Sequence, residues 1–83
     1  MLRLKKNIAI SESGVVFNAA TGDSFSVNHL GKLILDGIQN GKNEKTIITD
    51  IIEAYQVEES RASNDMTDFL NHLKQLKLVE DGE

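Results

Sequence analysis

The chain of 83 residues contains no cysteine, no proline and no tryptophan. Without cysteine there is no disulfide framework, no thiolate nucleophile and no thiolate metal site. A reducing, cytoplasmic compartment fits that composition. Long apolar runs are missing too. Those present are only a few residues long, far below the ~20 needed to cross a bilayer. The N-terminal Met1-Leu2-Arg3-Leu4-Lys5-Lys6 is basic, but no long apolar stretch follows it, which argues against a secretory signal. A basic surplus is also lacking. Nine Lys and Arg face thirteen Asp and Glu, for a net charge of −4, and phosphate binding needs the opposite balance. Nucleic acid and membrane are therefore excluded as expected partners.

What is present fits one small globular domain over residues 1–83, with a core from about 8 to 79. Apolar residues make up 40% and charged residues 27%, too apolar for a disordered chain. A chain this short buries only about 60–65% of its unfolded surface, so it can hold one modest core and no deep active-site cavity.

The pattern changes once, near residue 28, from short strands to helices. Ile8 to Ser11 and Val15 to Asn18 favour β structure and are separated by Glu12-Ser13-Gly14, a plausible hairpin loop. A turn signal at Ala20-Thr21-Gly22-Asp23 precedes Ser24-Phe25-Ser26-Val27, which alternates polar and apolar like a half-buried strand. Phe25 and Val27 should face inward. Strands this short need a helix over one face. Asn28 then suits an N-cap, and Leu30, Leu33, Ile34 and Ile38 form one helical stripe. Gly31 and Gly37 each weaken that helix by roughly 1 kcal/mol relative to Ala, which implies a packing reason for each. Gly41 is the expected residue after its C-cap. Asn43 caps a second helix whose Ile47, Ile48, Ile51, Ile52 and Tyr55 make a broad apolar face, the expected centre of the core. The third helix begins within Glu58 to Ser60. It carries Ala62, Met66, Phe69, Leu70, Leu73 and Leu76 at helical spacing, and ends near Lys77-Leu78-Val79. The tail from Glu80 to Glu83 is expected to fray.

Few residues suggest chemistry. Asp65, Asp68 and His72 lie at i, i+3 and i+7 of the third helix. Asp68 and His72 could share a metal, but no further ligand has matching spacing, so a solvated carboxylate–imidazole edge is the expected reading. His29 reads as a surface residue. The motifs of nucleotide binding, serine hydrolysis and zinc proteolysis are absent. No catalytic residue, metal or cofactor is therefore expected. A sheet followed by helices also suits a winged-helix DNA binder. From Asp50 to Asp68, however, there are six acidic residues against one basic residue, Arg61. Such a surface repels phosphate and prefers neutral or cationic segments.

The order of these features resembles a known family. Thr21-Gly22-Asp23-Ser24-Phe25-Ser26-Val27-Asn28 is similar to the T-G-x-x-F-x-L-N segment of the PqqD-like family. Gly31, the apolar pairs of the first helix and Gly41 follow in order. Tyr55-Gln56-Val57 resembles the family's Y-x-V. Asp65 with Phe69-Leu70, Leu73 and Leu78-Val79 resembles D-x-x-x-F-L-x-x-L and G-L-V. The likeness runs from about Ile8 to Val79. Lys77 departs from it, standing where the family usually has a helix-ending glycine, and the segment before Val15 is shorter than in many members.

The resemblance implies an α+β, winged-helix-like fold of three antiparallel strands followed by three helices. It implies the precursor-peptide recognition element of ribosomally synthesised, post-translationally modified peptide pathways, as in pyrroloquinoline quinone biosynthesis. Such a protein is a non-catalytic chaperone that binds a precursor's leader peptide and delivers it to a modifying enzyme, often a radical SAM enzyme. By the same analogy Ser24 to Val27 is the sheet's edge. An extended peptide would add there as a strand, beside the third helix. The expected peptide-binding residues are Ser24, Phe25, Ser26, Val27, Asp65, Asp68, Phe69 and His72. The rival reading is a small acidic winged-helix regulator of protein or DNA. The sequence leaves the oligomeric state, the precursor and the modifying enzyme open.

Overall fold

The computed structural model describes residues 2–81. Along the chain run β1 (Leu2–Leu4), β2 (Ile8–Ile10), β3 (Val15–Asn18), β4 (Ser24–Ser26), α1 (His29–Gln39), α2 (Glu44–Tyr55), α3 (Glu59–Gln75) and β5 (Val79–Asp81). Strands β2, β3 and β4 form an antiparallel sheet in that order. The three helices follow, so the α+β arrangement of three strands and three helices is present.

Local chemistry sets the boundaries. Asn28 Oδ1 accepts the Gly31 N–H at 2.8 Å, and Asn43 Oδ1 accepts the Thr46 N–H at 2.8 Å, so both asparagines cap their helices. Glu58 precedes α3 without a side-chain cap bond. Gly41, at φ +77°, closes α1: its own N–H reaches Ile38 O, and the Lys42 N–H reaches Gly37 O. The same pair of bonds ends α3 without a glycine. Lys77 N–H donates to Lys74 O and Leu78 N–H to Leu73 O, while Lys77 itself sits at φ +59°. Lys77 thus takes the conformation that glycine usually supplies.

The core joins β3 and β5 to all three helices. Val16, Ile34, Leu35, Ile47, Ile51, Met66 and Leu73 are almost wholly buried. Leu35 belongs to the centre of α1, whereas Leu30 and Leu33 from the expected stripe are only half-buried. Close approach to α2 shifts the buried face. A Cβ at Gly37 would lie 2.7 Å from Ile47 Cγ1, so the bare backbone of α1 accepts that isoleucine. On α2, Ile47 and Ile51 are core, Ile48 and Ile52 are half-buried, and Tyr55 is 43% exposed. The broad apolar face is therefore buried along its middle only.

The expected fraying of the tail is overturned at Glu80 and Asp81. These residues belong to β5, which pairs with β1 in the register Leu2↔Asp81, Arg3↔Glu80 and Leu4↔Val79. Arg3 reaches Glu80 across the pair at 3.2 Å. Leu2 and Leu4 pack on the core while Arg3 faces out, the alternation of a half-buried strand. Gly82 and Glu83 lie outside the described residues.

Candidate functional site

Strand β4 pairs with β3 on one side only, so its other side is a sheet edge. The register decides which of its backbone groups are free. The Asn18 N–H donates to Asp23 O at 2.9 Å, and the Val27 N–H donates to Gly14 O at 2.8 Å. In an antiparallel ladder, hydrogen-bonded pairs alternate with unbonded ones. With Val16 opposite Phe25, the backbone groups of Asp23, Phe25 and Val27 therefore point at β3. Those of Ser24 and Ser26 point outward, and no turn, loop or cap bond engages them. Gly14 makes the corner possible: it has φ +89°, and a Cβ there would stand 2.9 Å from Val27 O. The opposite edge, β2, is less open, because the Ile8 N–H is taken by Lys5 O at 3.2 Å.

Side chains alternate as the pattern suggested. Phe25 and Val27 are half-buried on the inner face, and Ser24 and Ser26 are exposed on the outer one. Behind the serines, Val15 and Phe17 on β3 are 39% and 44% exposed. The sheet's outer face is therefore uncharged and partly apolar, a feature the sequence reading did not single out.

Helix α3 approaches the end of β4 through Phe69. A Cβ at Gly31 would lie 3.0 Å from Phe69 Cε1 and 3.0 Å from Val27 Cβ, so strand end, α1 and Phe69 converge on one point. Phe69 is half-buried, with one part in the core and one at the surface. Asp65 precedes it by one turn, half-buried and 3.9 Å from Arg61. Asp68 and His72 are exposed. Helical spacing places Asp65, Phe69, His72 and Leu76 along one border of α3. Leu76, which falls at helical spacing with the other apolar residues of the third helix, is 41% exposed. It follows Phe69 by seven residues, so it carries the apolar border to the helix end.

The expected residues thus fall into two groups. Ser24, Phe25, Ser26 and Val27 form the edge, and Phe69 joins it to α3. Asp65, Asp68 and His72 lie along or beside the α3 border. Among the described residues no group of His, Cys, Asp or Glu could hold a metal ion, and no helix is long and apolar enough to cross a membrane.

Comparison with known proteins identifies the family and the fold. The model of the family described as coenzyme PQQ synthesis protein D (PqqD) matches residues 13–79. The chain belongs to the PqqD family. The match begins in the β2–β3 loop and ends at the first residue of β5, so it includes β4 and all of α3. No curated protein is similar enough in sequence to match. Two solved structures share the PqqD fold of this chain. One is described as lasso peptide synthetase B1 complexed with the leader peptide. It is 20% identical with a TM-score of 0.84, covering 96% of this chain and 98% of that one. The other is described as TbiB1 in complex with the TbiA(beta) leader peptide. It is 24% identical with a TM-score of 0.85, covering 98% of both chains.

Proposed function

We propose that this PqqD-family protein is a non-catalytic peptide chaperone. It binds the leader of a ribosomal precursor peptide by strand addition at β4 and presents it to a modifying enzyme, which in this family is often a radical SAM enzyme. One observation carries the reading: the outward N–H and C=O groups of Ser24 and Ser26 lie on an open edge that ends against Phe69. An extended peptide satisfies such groups in any sequence, and alternate side chains entering beside α3 supply selectivity. That both similar structures carry leader peptides supports it. Asp65, Asp68 and His72 then form a polar rim that tunes which leader binds.

The test is an amide NMR titration with the leader of a short precursor gene found beside this one, run in parallel with duplex DNA. Shifts are expected at Ser24 to Val27 and from Asp65 to Leu73. Binding of DNA without the peptide, or shifts confined to α2, defeats the proposal.

A further inference from the structure

The three-stranded sheet turns one face outward. Its register sets two rows of side chains there: Ala9, Phe17 and Ser24 in one, Ser11, Val15 and Ser26 in the other. All six residues are exposed and none is charged. We propose that this face, widened by the bound leader, is where the modifying enzyme docks, so that the enzyme binds the leader-loaded chain in preference to the free one. This deepens the chaperone reading and rests on it.

The composition of the face argues for a protein surface of matching chemistry. Sheet edges are commonly blunted by charged side chains, lysine above all. Neither row carries one, and β4 itself presents only serines. Val15 and Phe17 make an apolar ridge along β3, with Ala9 and Ser11 on one side and Ser24 and Ser26 on the other. The flanking residues are small, so a group seated on Phe17 can reach over Ser24 to the next strand position, about 10 Å away. A charge brought against this face would lose water without gaining a counter-charge. The surface that fits is therefore uncharged and partly apolar.

Register and size argue that the leader completes it. Residues directly opposite each other on adjacent strands project to the same side of a sheet. A peptide paired with the free backbone groups of Ser24 and Ser26 therefore places the residues opposite them on the outer face, as the fourth member of each row. Without the peptide the patch measures roughly 10 Å by 14 Å, or about 150 Å². A stable interface takes about 800 Å² from each partner, so the bare face holds neither a second copy of this chain nor an enzyme. The enzyme has to approach this edge in any case, because its substrate continues from the leader. Leader and ridge together then form one surface. Coupling of this kind is reciprocal, so the enzyme tightens the chain's hold on the leader by the factor with which the leader tightens the enzyme. The leader residues opposite Ser24 and Ser26 are expected to be uncharged, for the same reason as the enzyme surface.

The experiment titrates the full chain with the modifying enzyme encoded beside this gene, with and without the neighbouring precursor's leader. The leader-saturated chain should bind the enzyme about tenfold or more tighter than the free chain, and the enzyme should raise leader affinity by the same factor. Phe17→Lys alters a side chain that is already 44% exposed. It should hold the thermal midpoint, keep leader affinity within about twofold and weaken the enzyme by about tenfold or more. Cross-saturation from the enzyme to the amides of the unsubstituted, loaded chain reads the face without any variant, and Ala9, Val15 and Phe17 should lose intensity. A leader that shifts Ser24 and Ser26 but leaves enzyme affinity unchanged, or cross-saturation confined to the helices, overturns the docking face and leaves the chaperone reading standing. A loaded chain that dimerises through Phe17 and binds no enzyme gives the face to a second copy and overturns the proposal too. A leader that never shifts Ser24 or Ser26 overturns both readings.

Discussion

Phe69 rests against the bare α-carbon of Gly31, where a Cβ would stand 3.0 Å from its ring. The same Cβ would meet Val27, so Gly31 sets how closely α1 lies to both the strand end and α3. Gly31→Ala gains about 1 kcal/mol of helix propensity but overpacks a tight contact at a cost of about 1–3 kcal/mol. A net loss of stability, or none, is expected in urea melts, together with displaced Phe69 ring resonances and weaker peptide binding. Stabilisation with the ring resonances unchanged would show that the contact is loose.

Proline substitution distinguishes the two kinds of backbone group on β4. The Ser26 N–H faces the open edge, so Ser26→Pro should leave the fold largely intact and weaken peptide binding far more than Ser26→Ala does. Val27 donates to Gly14 O at 2.8 Å, so Val27→Pro should instead destabilise the hairpin corner. Circular-dichroism melts of the three variants, set beside peptide affinities, check the alternation. Equal effects at Ser26 and Val27 contradict it.

Lys77 closes α3 at φ +59°, where a residue with a Cβ is strained by about 1–2 kcal/mol. Glycine removes that strain but adds freedom to the unfolded chain. Lys77→Gly should therefore stabilise by about 0.5–1 kcal/mol, and Lys77→Val should destabilise. Denaturant midpoints measure both. Equal midpoints for the glycine and valine variants would remove the strain argument.

The isoleucines of α2 should separate by burial. Ile51 is 1% exposed, and Ile51→Ala should cost about 2–4 kcal/mol. Ile52 is only half-buried, so Ile52→Ala should cost less, about 1 kcal/mol. Losses of the same size at both positions would mean that the two sites are equally packed.

Charge at the α3 border should act on binding more than on folding. Asp68 is exposed and, among the described residues, has no ion-pair partner. Asp68→Lys should leave the thermal midpoint unchanged, slow association of a basic peptide and flatten its salt dependence. Stopped-flow association at two ionic strengths tests this. An unchanged rate and slope would place the peptide away from Asp68.

Much of the fold follows from short stretches of sequence. Asn28 and Asn43 announce helix starts, Gly14 and Gly41 announce turns, and the alternation through Phe25 and Val27 assigns the faces of β4. These signals are local, since a cap or a period-two pattern needs only neighbouring residues. The ordered set from Thr21 to Val79 was also enough to place the chain in its family. Other features depend on contacts distant in the chain. Arg3 and Glu80, 77 positions apart, pair two strands of three residues each, too short for periodicity to reveal. Tyr55 and Leu76 sit on apolar stripes, and only the packing of neighbouring helices left them at the surface. The sequence marks Ser24 to Val27 as a strand but does not say that Ser24 and Ser26 keep their backbone groups free. That depends on the register with β3, and the seat of Phe69 depends on how near α1 comes. Hydrogen-bond register and close approach are relations between segments, so only the assembled tertiary structure could decide them.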